Sequence, residues 1–234
     1  MEIINFDIEQ DDGTRHHHWL LPSSIRCIIC GPSGCGKTNL LLNFLLNKGF
    51  LRFDRLHLYS KSLGQDKYQF LRDWATELEK VAGKEVASFH SSSEDIIPVE
   101  SLANENSVAK PTRSIMVFDD VMLEKQTPIE KYFTMGRHGG ADCFYLTQNY
   151  FRIPKQAIRD NANLIILFNQ DSKNLRAIHD TFVGGDMPFD EFRKFFSECA
   201  AQPYGFAVID LTSKVYDGKY RCGFDRFYKP MASN

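Results

Sequence analysis

Gly31-Pro32-Ser33-Gly34-Cys35-Gly36-Lys37-Thr38 is the stretch on which the reading of this chain turns. A short apolar run, Ile25 to Cys30, precedes it, and a leucine-rich run, Leu40 to Leu46, comes after it. A G-x-x-x-x-G-K-[ST] match set between a strand and a helix is a phosphate-binding P-loop. The glycines let the backbone curl until successive N–H groups point inward and make a nest for an anion. The next helix adds its unpaired N–H groups and the positive end of its dipole. Lys37 is placed to reach the β- and γ-phosphates as a point charge, and the Thr38 hydroxyl to ligate Mg²⁺. With glycine at about 7% of residues, the four fixed positions meet by chance in roughly one chain in a hundred of this length. The flanking strand and helix therefore decide the matter, and ATP with Mg²⁺ is the expected ligand.

Downstream lies Ser114-Ile115-Met116-Val117-Phe118-Asp119-Asp120, an apolar run ending in paired carboxylates. A parallel strand buried on both faces reads as a continuous apolar run, and ligands bind at the carboxyl ends of such strands. This is the Walker B pattern. Asp119 is expected beside the P-loop, holding Mg²⁺ through water, and Asp120 is placed to orient or deprotonate the attacking water. A strand ending in a solvated acidic turn would look the same in isolation; the upstream P-loop is the confirming context. A further strand, Asp142 to Thr147, ends in Gln148-Asn149, whose amide can hydrogen-bond the γ-phosphate or its water.

Composition sets outer bounds. The chain has 234 residues, 43% of them hydrophobic, and a net charge of −2. That suits one α/β domain with a sizeable core, and no global basic field marks nucleic-acid binding. DNA contact would need a local patch or copies of the chain around a shared axis. The six cysteines form no disulfide framework. Cys27 and Cys30 lie in the first strand, where residues three apart face opposite ways, so they read as core thiols and not as a metal pair. His16-His17-His18 has no ligand partner at metal spacing and reads as solvated surface or part of a lid. No signal peptide, transit peptide or transmembrane run is seen, so a reducing, intracellular compartment is expected.

Read in order, residues 1–22 form an arm, which we place beside the adenine as many P-loop proteins do. A core spans 23–185, and a C-terminal helix, strand and basic tail span 186–234, with no repeat or second domain. Strands are expected at 25–30, 55–60, 86–89, 114–119, 142–147, 164–168 and 205–211. Helices are expected at 37–48, 66–80, 127–135, 172–183 (Ser172 as N-cap) and 188–200, with a short helix after Pro154. Asn39, Asn43 and Asn47 make a polar line on an otherwise buried first helix. Residues 90–113 read as loop with at most one short helix. The tail's Lys214, Lys219, Arg221, Arg226 and Lys229 read as solvated surface or as a DNA patch. Alternating strands and helices give an α/β fold, a mainly parallel sheet flanked by helices. An extra strand between the two Walker strands, with Asp120 after Asp119, fits the P-loop NTPases with a RecA-like (ASCE) core that polarise water for hydrolysis.

Gly136-Arg137-His138-Gly139-Gly140, then Phe144-Tyr145-Leu146-Thr147-Gln148-Asn149, then Ile153-Pro154-Lys155-x-x-Ile158-Arg159-x-Asn161 carry a more particular likeness. Over about residues 24–185 the chain resembles the genome-packaging ATPases of poxvirus-like large DNA viruses, virophages and Polinton-type elements, in the FtsK–HerA superfamily. The resemblance implies an ATP-driven motor, usually a homo-oligomeric ring, that pumps double-stranded DNA into a preformed capsid at a portal-like vertex. It implies a place in the host cytoplasm or viral factory, or association with the virion. Lys37 and Thr38 match the phosphate and magnesium positions, Asp119 the Walker B ligand, Asp120 the catalytic acid and Gln148 the sensor. Arg137 falls where related motors place an arginine that reaches a neighbour's ATP site, and Arg159 at a second basic position near it. An arginine just after a helix end is also well placed against the helix dipole without any further role. Many superfamily members carry Glu where this chain has Asp120, one methylene shorter. Two other readings stay open: a small-molecule kinase, which would need an acceptor site and an arginine-bearing lid, and a nucleotide-dependent assembly or scaffold protein.

Overall fold

Along Arg26–Cys30, strand β1, side chains alternate between two buried faces. Ile28 and Cys30 pack into one apolar cluster, Cys27 and Ile29 into the other. That period of two is the signature of a central strand covered on both sides, and it confirms Cys27 and Cys30 as core thiols. Burial pushes the Cys30 thiol up to about 12. The computed structural model describes residues 17–105 and 113–231.

The other strands are β2 (Arg55–Ser60), β3 (Ala87–His90), β4 (Ser114–Asp119), β5 (Ala141–Thr147), β6 (Leu164–Leu167), β7 (Ala207–Asp210), β8 (Tyr220–Cys222) and β9 (Arg226–Tyr228). Among the described residues they form one sheet in the order β3-β2-β4-β5-β1-β6-β7-β8-β9. Pairing is parallel from β3 to β6 and antiparallel from β6 to β9. The extra strand of the sequence reading is β5, hydrogen-bonded to β1 on one side and β4 on the other.

Helices α1 (Lys37–Leu46) and α2 (Asp66–Ala82) cover one face through Leu41, Phe44, Leu45, Tyr68 and Leu71. On the opposite face lie α3 (Val99–Glu105), α4 (Thr127–Met135), α5 (Ser172–Phe182) and α6 (Phe189–Ala200). Asn39, Asn43 and Asn47 are exposed, as their spacing predicts. The N-cap of α5 is Asp171 and not Ser172. The Asp171 carboxylate accepts the Asn174 N–H at 2.8 Å, a charged cap that also suits the dipole. The short helix after Pro154 is a single π turn, Lys155–Arg159. Residues 106–112 of the expected loop lie outside the described residues.

Three readings of the chain ends are corrected. His17 and His18 are not solvated surface: His17 is buried, with Nε2 2.9 Å from Asp142 Oδ2, and the His18 ring stacks on Phe50. His16 is outside the described residues. Nor do residues 17–22 approach the nucleotide end of the sheet. They enter β1 from its amino end and are held there, with the Leu20 carbonyl accepting from Arg221 Nη1 at 2.5 Å; the rest of the arm is outside the described residues. The basic tail contains β8 and β9, and its cations do not all face solvent. Arg221 is buried and pairs with Asp210 at 2.6 Å, and Lys219 pairs with Asp186. Among the described residues no helix is long and apolar enough to cross a membrane.

Candidate active site

Because β2, β4, β5 and β1 run parallel, their carboxyl ends, and the loops that leave them, lie on the same edge of the sheet. The P-loop comes after β1, Asp120 after β4, Gln148 after β5, and Ser62 lies just beyond β2. The Gly31 N–H donates to the Thr147 carbonyl at 3.1 Å, which fixes the loop to the tip of β5. Gly36 has φ of +113° and is the N-cap of α1, a conformation that a side chain at this point would strain. The first N–H groups of α1 therefore open onto the site.

These tips enclose a cavity of about 250 Å³ lined by Ser33, Gly34, Gly36, Lys37, Thr38, Asp119, Asp120 and Gln148. All but the loop itself come from distant parts of the sequence. Lys37 is buried, and its Nζ donates to the carbonyls of Gly31 at 2.7 Å and Pro32 at 2.9 Å. Its charge thus lies against the inner side of the loop. The Thr38 hydroxyl donates to Asp119 Oδ2 at 3.4 Å, so a neutral and an anionic oxygen converge on one point. Such a hard-oxygen pair suits Mg²⁺, which is commonly held by one or two carboxylates together with substrate phosphates. Burial raises the pKa of the Asp119 carboxyl.

Asp120 is exposed and sits at φ of +57°. That left-handed turn, uncommon outside glycine, turns the chain sharply at the end of β4. Its Oδ2 accepts from the Ser62 hydroxyl at 3.3 Å. Gln148 is exposed at the tip of β5.

Four lining or supporting residues escaped the sequence reading. Ser62 and Gln65, from the turn between β2 and α2, and Lys67, in the first turn of α2, also line the cavity. The Tyr68 hydroxyl hydrogen-bonds Asp119 Oδ2 from within the core. The available signal was positional: these residues come after the carboxyl end of a parallel strand.

Arg137 and Arg159 are not brought to this cavity. Arg137 lies in the 3₁₀ turn Gly136–Gly139, which precedes β5, and it is exposed. Burial lowers the pKa of the Arg26 guanidinium at the amino end of β1, and Arg137 is close enough to add to that shift. It therefore stands at the amino edge of the sheet, one strand length from the P-loop, about 20 Å for seven residues. The Arg159 guanidinium lies over the Tyr150 ring at 4.9 Å.

A P-loop whose threonine meets the carboxylate at the end of β4, with one strand inserted between β1 and β4, defines the fold of a P-loop NTPase of the ASCE type. A family profile described as "Poxvirus A32 protein" matches residues 15–182. The chain belongs to the Poxvirus A32 protein family. No curated protein matches it significantly.

Among solved structures it is similar to the genome packaging NTPase B204 from Sulfolobus turreted icosahedral virus 2 in complex with AMP. Identity is 17%, over 81% of this chain and 93% of that one, with a TM-score of 0.56. The same protein in complex with ATP-gammaS matches at 15% identity over the same shares, with a TM-score of 0.54. The DNA-packaging ATPase B204 from Sulfolobus Turreted Icosahedral Virus matches at 16%, over 80% of this chain and 92% of that one, with a TM-score of 0.55. At such identities the likeness establishes a common fold.

Proposed function

We propose that this chain is an ATP-hydrolysing, DNA-translocating motor that packages viral or viral-like double-stranded DNA into a capsid. The observation that carries the proposal is the convergence of Lys37, Thr38, Asp119, Asp120 and Gln148 on one cavity, in a Poxvirus A32 family chain. The fold it shares with the viral packaging NTPase B204 supports the same reading.

In this reading the P-loop backbone of residues 31–38 cradles the phosphates and Lys37 exchanges its two loop carbonyls for β- and γ-phosphate oxygens. Thr38 and Asp119 would hold Mg²⁺, which would supply positive charge to offset that of the phosphates. Asp120 orients the attacking water and takes its proton, and Gln148 hydrogen-bonds the γ-phosphate or that water. Paired carboxylates at the end of β4 and an amide at the tip of β5 are groups that act on water. Water is thus the acceptor this site is built for, and a kinase acceptor pocket is not needed.

Arg137, too far from its own P-loop to act there, serves a neighbouring subunit of a homo-oligomeric ring, with Arg159 as a second basic contributor. The ring surrounds DNA, docks on a capsid or portal-like vertex protein, and works in the host cytoplasm or viral factory, or on the virion.

ATP turnover measured with and without double-stranded DNA, and with and without Mg²⁺, tests the proposal. Mg²⁺-dependent turnover that rises on adding DNA is expected. Phosphate transfer to a small molecule in place of water, or turnover indifferent to DNA, would overturn it.

A further inference from the structure

The cavity around Lys37 and Asp119 takes the phosphates, but among the described residues no aromatic ring lines it. Asp119 ends β4, on one side of the P-loop strand β1, and β6 and β7 lie on the other, so a nucleoside triphosphate whose γ-phosphate points at Asp119 extends its base toward β6 and β7. The amino-terminal segment 17–22 is not there, because it runs along the opposite edge. On that side of the loop stands Tyr204, in the turn between α6 and β7. Since β7 is antiparallel to β6, with Leu167 opposite Ala207, this turn lies on the P-loop edge of the sheet.

Three features set Tyr204 apart. Its side chain reaches the P-loop: a Cβ added to Gly36 would lie 3.2 Å from Tyr204 Cδ1. It is 69% exposed, although large aromatic side chains gain most when covered. And its φ is +59°, a left-handed conformation that costs a bulky residue free energy and is favoured by nothing in its own side chain. The next residue explains how that conformation is held. A Cβ on Gly205 would sit 2.2 Å from the Cys199 carbonyl oxygen, so only glycine lets the chain pass beneath the end of α6. The Gly205 N–H also donates to the Gln202 carbonyl at 2.8 Å. Backbone strain held in place by packing, at a residue presenting an open ring beside a ligand loop, is characteristic of a binding site.

We propose that Tyr204 is the platform on which the base of the bound nucleotide stacks. The inference rests on the nucleotide-site reading above and adds to it the residue that receives the base. Stacking on one open ring uses the π-face that every base has, so it favours a large purine without reading its edge.

The test compares two ligands that share the phosphates and differ in the base: a non-hydrolysable ATP analogue and inorganic tripolyphosphate, each with Mg²⁺, titrated calorimetrically. Tyr204→Ala is expected to weaken the analogue about tenfold, within the range of base–aromatic stacking, and to leave tripolyphosphate unchanged. Tyr204→Phe, which keeps the ring, should stay within about twofold of the parent protein for both. Alanine keeps the left-handed strain, so relief of strain cannot imitate the result.

An equal loss for both ligands would mean that the turn only shapes the P-loop, and an unchanged analogue affinity would remove Tyr204 from the site. Either overturns the proposal. Failure of the parent protein to bind either ligand would instead overturn the nucleotide site itself. Photolabelling of the unaltered protein with 8-azido-ATP gives a second readout: adducts should map to the peptide containing Tyr204, and adducts confined elsewhere would refute the assignment.

Discussion

Burial raises the pKa of the Asp119 carboxyl, while the Tyr68 hydroxyl, the Lys37 ammonium and the Thr38 hydroxyl act against that shift and the Asp120 charge adds to it. The folded-state pKa thus lies above that of the unfolded chain, and the folded protein takes up the proton first as pH falls. The carboxylate accordingly costs stability at neutral pH, and the cost vanishes as pH drops through the folded-state value. Asp119→Asn should therefore raise Tm of the nucleotide-free protein at pH 7, and abolish the further rise that Mg²⁺ with ATP gives the parent. A lower nucleotide-free Tm in that variant would contradict the electrostatics. Tyr68→Phe acts in the other sense. It removes a donor from a buried carboxylate and should cost about 1–3 kcal/mol of stability, with Mg²⁺-dependent ATP affinity falling more at pH 6 than at pH 8. Asp120, for which we propose a role on the attacking water, is exposed. Asp120→Asn should leave nucleotide affinity nearly intact while turnover drops about 10²-fold or more, as steady-state kinetics beside a binding titration would show. Normal turnover in that variant would mean that another group handles the water.

His17 and Asp142 bind the beginning of the described chain to the amino end of β5. Asp142 is buried; it accepts the Ile25 N–H at 2.6 Å, lies 2.9 Å from His17 Nε2 and 3.6 Å from Arg113 Nε. His17→Ala leaves part of that carboxylate's demand unmet and should cost about 1–3 kcal/mol, lowering Tm by a few degrees. ATP affinity should not change, because the contact is a strand length from the P-loop, and a fall in affinity with unchanged Tm would refute this placement. None of this was legible in the sequence, since a histidine triplet on a polar arm shows nothing of an aspartate 125 positions away. The same limit hid Tyr68, whose helix reads as charged and amphipathic while its hydroxyl meets a strand end 51 residues downstream. By contrast β1 and β4 were read to within a residue or so, because apolar runs ending in glycine or aspartate leave few alternatives, and α4 was bounded as closely by Pro128 near its start and Gly136 after its end. Strands β8 and β9 were missed because each has three residues, Tyr220-Arg221-Cys222 and Arg226-Phe227-Tyr228, too few to show a period. Their pairing is set by partners across the sheet. Tyr204 was likewise invisible, since its interest lies in a backbone angle.

A sheet with the phosphate loop on one edge and Arg137 on the other has a direct consequence for assembly. If Arg137 stabilises transition-state charge, it does so in another subunit, and each chain alone has an incomplete site. Turnover per chain should then rise with protein concentration and again when DNA organises the ring. Trans-acting arginines in related phosphoryl-transfer sites are worth about 10³-fold or more. Arg137→Ala chains should therefore bind ATP normally and be nearly inactive on their own. Lys37→Ala chains should lose both affinity and turnover, because the P-loop's charge on the phosphates is gone. A mixture of the two variants tests the geometry, since a Lys37→Ala subunit still offers Arg137 to a neighbour with an intact P-loop. Where neighbouring sites fire independently, the mixture recovers part of the activity that neither variant has. Where firing is strictly sequential around the ring, adding either variant to parent protein lowers activity more steeply than simple dilution. Both outcomes require contact between subunits. Full turnover by a verified monomer at high dilution, indifferent to DNA and to Arg137→Ala, would refute the shared site and with it the ring motor.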